Sequence, residues 1–448
     1  MSRICVSVLF FLTLFVVVSA NADKRPECHV CGMYIDQYQK TAGALKYKDG
    51  RTVESCGVAC LLRMVADEGG PDAFDSILVK DWISGSQIPA DEAVYVLSSK
   101  IIPDMLPNFI AFKNKNEASS FKEKNGGEII SFSQALLTIS PVAMTMPVRI
   151  KTAAVPAKGA TGIGVGYMSM KMDTVKIGSE SVDPEDFIQR PGQMMGPKEM
   201  KSESTMLMAS FGLTDRLAMD LKTAYVEKEM KMYAMHGNRI NTFNNSGLGD
   251  IYFSFRYNLY KSNFYNHFTT LLAEVSLPTG DFDEEFIPRP GLQLGTGDFT
   301  FGGGLLYTYR FSDFWLHTMA AYTHKLENSD NYKFGDQTQL GLALHYTPNY
   351  NWMFGIETDM VYCDKNELRG NDIGNTGGTR SKLTAVASWR FLTALGGNFN
   401  LRLTGGIPLY EDLNHSASMG METVQLGEGW FGSLSISFKR RFTPAFDN

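Results

Sequence analysis

A small α+β domain followed by an all-β outer-membrane antiparallel β-barrel of about 12 strands is the architecture the sequence predicts. Apolar and polar residues alternate with period two from about Gly162 to near the C-terminus. The connections between these stretches are short and long by turns. Ahead of them lies a region of mixed periodicity, in which four of the six cysteines are gathered between positions 28 and 60.

The N-terminus carries Arg3, an apolar run from Val6 to Val18, and then Ala20-Asn21-Ala22. That order of charge, apolar run and small residues predicts a signal peptide over 1–22 and a mature chain from Asp23. The run is too short for a membrane-spanning helix, and no later window supplies one. No cysteine follows the run, so a lipid anchor is not expected, and Cys5 leaves with the signal. Export puts the remaining cysteines where disulfides can form. The net charge of −6 comes with no long basic run, which argues against nucleic acid as a partner.

Residues 23–135 predict the α+β domain. Extended stretches are expected at Thr41 to Lys46, Phe109 to Phe112 and Glu128 to Phe132, and helical ones at Gly57 to Asp67 and Glu117 to Glu123. Within it, Cys28-His29-Val30-Cys31-Gly32-Met33 packs two thiols and a thioether into six positions. Soft sulfur ligands select Cu(I), with Zn(II) as the competitor. Cys56 and Cys60 are four apart and share one helix face, with Met64 a turn further on. Near the helix N-terminus, the dipole favours the Cys56 thiolate. Spacing leaves three readings open: a copper site, a tetrahedral zinc site, or two structural disulfides. Residues 136–161, with Met-flanked prolines, read as a linker.

Residues 162–448 predict the barrel. Ile251, Phe253, Phe255, Tyr257 and Leu259 alternate with polar neighbours, as do Leu434, Ile436 and Phe438. Segments of roughly ten residues with this pattern place apolar side chains in lipid and polar ones in the lumen. Short links near 213–215, 261–264, 312–313 and 348–349 alternate with long ones near 177–200, 234–247, 279–294, 326–333, 365–378 and 409–425. That alternation puts both chain ends on the periplasmic side.

Fourteen of the 23 methionines fall between Met144 and Met235, many spaced by two so that thioethers share a strand face. They are either soft-metal sites or adaptable apolar filler. Polar neighbours of matching parity send Met206, Met208, Met230 and Met232 to the lumen. The opposite parity of Ser169, Lys171 and Asp173 sends Met168, Met170 and Met172 to the lipid. The seven histidines are scattered and none pairs with a Ser or Cys nucleophile, so no catalytic residue and no enzyme activity is expected. Cys363 reads as an isolated thiol.

Two resemblances add to this reading. Ser246-Gly247-Leu248-Gly249-Asp250, Leu277-Pro278-Thr279-Gly280-Asp281 and Leu294-Gly295-Thr296-Gly297-Asp298 resemble the barrel family related to phenol meta-pathway porins, over roughly 160–448. This implies an outer-membrane channel or transporter. Cys28-x-x-Cys31-Gly32-Met33-x-Ile35, Glu54-Ser55-Cys56, Asp81-Trp82, Ala93-Val94-Tyr95-Val96 and Phe121-x₄-Gly126-Gly127 follow one another as in NosL-type proteins, over nearly all of 27–135. Those are copper-binding accessory proteins of nitrous oxide reductase maturation. The resemblance implies Cu(I) binding by Cys31 and Met33, and places Met105 where the family tends to have a Met near a Pro. The typical member is a free-standing lipoprotein, whereas this chain lacks the lipid-attachment cysteine and carries a barrel.

The expectation is therefore an outer-membrane barrel with a periplasmic metal-binding domain. Its ligands are Cys28, Cys31, Met33, Cys56 and Cys60, its metal Cu(I) or alternatively Zn(II), and its partners membrane lipid and the copper ion. Copper handling or transport across the outer membrane is the leading function. Two others stay open: a passive porin for small organic solutes with a disulfide-stapled periplasmic module, and copper delivery to a periplasmic or secreted cuproprotein such as nitrous oxide reductase.

Overall fold

The computed structural model describes residues 25–140, 146–418 and 421–441. The expected signal peptide and Met144 lie outside these residues.

The N-terminal region runs β1 (Gly43–Tyr47), β2 (Thr52–Ser55), α1 (Val58–Asp67), β3 (Phe74–Lys80), β4 (Gln87–Pro89), β5 (Val94–Leu97), β6 (Phe109–Phe112), α2 (Lys115–Asn125), β7 (Glu128–Ile130) and α3 (Phe132–Ile139). An antiparallel sheet of order β2-β1-β3-β4 and a second of order β6-β5-β7 hold the layers. Helix α1 buries Leu61, Leu62 and Val65 completely, in one core with Leu45, Val79, Tyr95 and Phe109. Each such side chain contributes about 1.5–3 kcal/mol by leaving water. The extended stretch expected at Glu128 to Phe132 stops at Ile130. Ser131 instead accepts from the Gln134 amide while the Gln134 side chain accepts from the Ser131 amide, a capping box that starts α3.

Twelve long antiparallel strands form the barrel. They are β8 (Ala160–Ile177), β9 (Gly196–Gly212), β10 (Leu217–Ala234), β11 (Ile251–Lys261), β12 (His267–Leu277), β13 (Thr300–Phe311), β14 (Phe314–Lys325), β15 (Gln337–Asn349), β16 (Trp352–Cys363), β17 (Gly378–Ala394), β18 (Gly397–Leu413) and β19 (Gln425–Arg441). Each pairs with the next, and β19 pairs with β8 to close the ring. A further strand, Arg239–Leu248, extends the far half of β10.

Alternation sets the two faces. On β15, Leu340, Leu342 and Leu344 stand exposed outside while Ala343 is buried inside. Near the short turns, outward aromatics stack from strand to strand, Phe314 on Tyr346 at 5.0 Å and Trp352 on Trp389 at 5.5 Å between ring centroids. A continuous apolar band edged by aromatics is what a lipid-spanning barrel presents.

One face assignment from sequence is corrected. On β8 the outer positions belong to Ile163, Val165 and Tyr167, all exposed, so Met168, Met170 and Met172 point into the lumen. The polar residues that suggested otherwise lie beyond the apolar band, where outward side chains are polar too. There Lys171 bridges Asp173 and Glu199, and Lys231 bridges Glu199 and Glu229.

The segment expected to be a simple linker does more than connect. Residues 146–159 enter the lumen as a strap, with Ile150, Thr152, Ala153 and Ala154 buried. Ile150 and the two alanines pack with Phe268, Leu272, Leu306 and Trp315 of the wall. Glu357 accepts from the amides of Val148 and Arg149, and Arg149 pairs with Asp359 at 2.9 Å. Arg256, itself paired with Asp220, donates to the carbonyls of Thr152 and Ala154, while Asn258 donates to that of Ala153. The strap's own backbone polar groups are thus satisfied by wall side chains, as burial requires.

The N-terminal domain seats over the short-turn mouth. Its core continues onto Tyr350, Met353 and Val386 of the barrel. Asp67 at the end of α1 pairs with Arg441 at 3.1 Å, and Arg310 donates to Thr138 of α3. Between the domain, the strap and the barrel rim lies a cavity of about 350 Å³, lined by Arg63, Met146, Gly162 and Ser210 among others.

Candidate metal centre

Two chain segments converge on one point beside α1. The first is the loop 28–33, closed by the Gly32 amide donating to the Cys28 carbonyl at 2.8 Å and the Cys28 amide to the Met33 carbonyl at 2.8 Å. Gly32 sits at φ +71°, a conformation that disfavours side chains, which accounts for glycine directly after Cys31. An Arg25–Asp36 ion pair at 2.7 Å ties the base of this loop.

The second segment is the start of α1. Gly57 caps it in extended conformation, so Cys56 lies just outside the helix and Cys60 in its first turn. The sulfurs meet at 3.7 Å. Thr41 donates to the Cys56 carbonyl at 3.0 Å and fixes that turn.

All four Sγ atoms of Cys28, Cys31, Cys56 and Cys60 lie within 4.8 Å of one another. Cys31 and Cys56 approach to 3.3 Å, and all five described cysteines are free thiols. With metal–sulfur bonds of ~2.3 Å, a tetrahedral site sets sulfurs ~3.8 Å apart, and a trigonal one about 4 Å. Both fit this cluster with small adjustments. Three of the thiols are buried and Cys31 is partly open, which gives the cluster one accessible corner.

Thioethers stand beside the thiols in different ways. Met105 Sδ is 3.1 Å from Cys60 Sγ, across 45 positions of chain. Met33 packs against the cluster, but its sulfur accepts from the Tyr38 hydroxyl at 2.9 Å. Met64 is shared between the cluster and the main core. His29 is exposed and outside the group, and Cys363 lies at the long-loop end of the barrel.

Charge is shared unequally. The Cys56 and Cys60 thiols hydrogen-bond to the Cys28 sulfur and hold it far below the ordinary thiol range, against the effect of burial. The same contacts with Cys28 push Cys56 and Cys60 well up. Within the cluster, acidity is thus shifted onto Cys28 and away from Cys56 and Cys60.

Sequence reasoning missed two neighbours. Asp104 presses its carboxylate onto Gly57, where an added Cβ would lie 1.5 Å from Oδ2. Burial pushes its carboxyl up to about 6, against the Met105 amide that donates to it at 2.7 Å. Arg63 reaches from α1 to the Leu106 carbonyl at 3.5 Å. Neither carries a local motif; only the tertiary fold brings them in. An all-sulfur donor set of four thiols and an adjacent thioether suits soft or borderline cations and not hard ones.

Each part of the chain matches a family of its own. Residues 19–136 match the NosL family, and residues 207–407 match the family described as a putative MetA pathway of phenol degradation. No curated protein sequence matches the chain. Among solved structures, an outer-membrane channel from Pseudomonas putida F1 aligns at 14% identity over 66% of this chain and 99% of its own, with a TM-score of 0.48. The copper chaperone NosL from Shewanella denitrificans aligns at 25% identity over 24% of this chain and 86% of its own, TM-score 0.23. A FadL homologue from Pseudomonas aeruginosa aligns at 11% identity over 68% and 97%, TM-score 0.34. The chain thus joins a NosL-like region carrying the four-cysteine cluster to a closed barrel that resembles the phenol-degradation family.

Proposed function

We propose that the protein sits in the bacterial outer membrane with its docked domain in the periplasm, where it captures Cu(I) as cargo for handling across that membrane. Cys28, Cys31, Cys56 and Cys60 are the capturing ligands, with Met33 and Met105 as thioether neighbours. The observation that carries this is the meeting of four thiols from two chain segments at one buried point, beside a fifth sulfur. Copper suits this set because thiolate and thioether together favour Cu(I) over the harder ions. The match of residues 19–136 to NosL supports the same metal.

The test is to challenge purified, fully reduced full-length protein, loaded with Cu(I), with a competing Cu(I) chelator. Retention by the native chain and loss from the variant with all four cysteines changed to Ser is the expected result. Release of copper by the native chain, with Zn(II) held instead, would replace copper by zinc. Delivery onward to a secreted cuproprotein such as nitrous oxide reductase is compatible with the same site. The match of residues 207–407 favours a second reading, a channel for small organic solutes with the N-terminal domain as a stapled module. Two intact disulfides among the four cysteines in the exported protein would support that reading.

A further inference from the structure

The lumen wall carries an unusual strip. On β8, Met168, Met170 and Met172 face inward, and Met206 and Met208 do so on β9. Register joins them into a column. Met200 of β9 lies directly opposite Met172 on one side and Met230 of β10 on the other. Met206 is opposite Gly166, one inward position below Met168, and Met208 is opposite Gly164. Directly opposed side chains stand about 5 Å apart, and diagonal ones stay within reach of long side chains.

Position gives the strip its meaning. Its lower end, at Met208, adjoins Gly162 and Ser210, which line the cavity under the docked domain. Arg63 of α1, one turn beyond Cys60, also lines that cavity. Its upper end reaches Met200 and Met230, which pack with Val175 and Phe187, and a Cβ added to Gly291 of a long loop would stand 3.3 Å from Met200 Sδ. Beyond them, exposed Met194 and Met235 are held together by the His236 amide donating to the Met194 carbonyl at 3.2 Å. From Met200 to Met208 the strand runs about 26 Å, which at a barrel tilt of about 40° covers roughly 20 Å of the membrane normal. Lumen walls are ordinarily polar, and elsewhere in this one the inward residues include Arg256, Glu357, Asp359 and Lys382.

We infer that these inward methionines form a ladder of thioether sites that binds Cu(I) inside the lumen and leads from the cavity beneath the docked domain to the long-loop mouth; the inference rests on the copper reading above. Thioethers are neutral and soft, so they bind Cu(I) loosely enough for it to move from one to the next.

The test uses full-length protein in detergent and Ag(I), a redox-inert monovalent probe of the same softness. In the variant with the four clustered cysteines changed to Ser, Ag(I) binding persists at lower affinity. Adding Met168→Leu, Met170→Leu, Met206→Leu and Met208→Leu weakens that residual binding at least tenfold. Leucine keeps apolar volume, so an unchanged thermal unfolding midpoint shows the wall intact. Residual Ag(I) binding that is absent, or that survives the leucines unchanged, overturns the ladder and leaves the cysteine site standing. Cu(I) retention left unchanged when the four cysteines become Ser would instead sink the copper reading of the cluster, whatever the leucines do.

Discussion

At the cluster, contacts with Cys56 and Cys60 lower the Cys28 thiol while raising their own, so the four cysteines are not equivalent. Removing Cys28 takes away a buried sulfur from the four that meet within 4.8 Å, and the most acidic of them. Cys28→Ser is expected to lower Cu(I) affinity more than about tenfold, ~1.4 kcal/mol, in chelator competition. Met105→Leu is expected to cost less, because one neutral ligand among several is lost. Asp81 offers a pH-dependent case away from the metal. Burial would raise its carboxyl, but the Ser84 hydroxyl and amide and the Lys113 amide donate to it and hold it below its ordinary value. A carboxyl lowered in the fold stabilises the domain above its unfolded value, and the contribution fades as pH falls through the lowered one. Asp81→Asn therefore costs about 1 kcal/mol at pH 7. Its difference from the native chain begins to narrow below about pH 4 and closes only below the lowered folded value, as read by amide exchange in β3 and β4. The thiols were legible in the sequence because ligand type and close spacing are local properties. Met105 and Asp104 were not, since only the fold carries them to Cys60 and Gly57.

For single elements, the strap is the part the sequence hid. Its short, mixed composition looks like a connector, and nothing local says that Ile150 will be enclosed. The wall carries the complementary sign. A Cβ on Gly341 would stand 2.1 Å from Ile150 Cγ2, so the strap fits only against a glycine there. Gly341→Val is expected to displace the strap and raise single-channel conductance in planar bilayers, and adding Ile150→Ala to restore the native value. Conductance unchanged by Gly341→Val would show that the strap does not limit the lumen. The barrel strands were plain from period-two alternation, whereas parity on β8 misled because the outward face turns polar beyond the lipid band. The extended stretch expected at Glu128 to Phe132 ran two residues too far, because Ser131 and Gln134 cap the start of α3.

Across the whole molecule, the domain and barrel meet through close backbone approach as well as side chains. Gly69, at φ +92°, would put a Cβ 2.4 Å from the Gly397 carbonyl oxygen. Gly69→Val should therefore loosen the seat of α1 on the rim and cost about 2 kcal/mol. Faster amide exchange at the α1 end, with barrel strands unchanged, is the expected observation. That such a seat exists could not be read from either half alone, because each half has a self-sufficient pattern of alternation or core. The strap adds one more consequence. It leaves the domain at the short-turn mouth, bends through the lumen, and returns to the same mouth, where the Gly159 amide donates to the Gly212 carbonyl. It is a tucked bight, not a threaded line. Drawing it out would break no strand pairing and require no free chain end, so the strap is the one occupant of the lumen among the described residues that can leave it with the barrel intact.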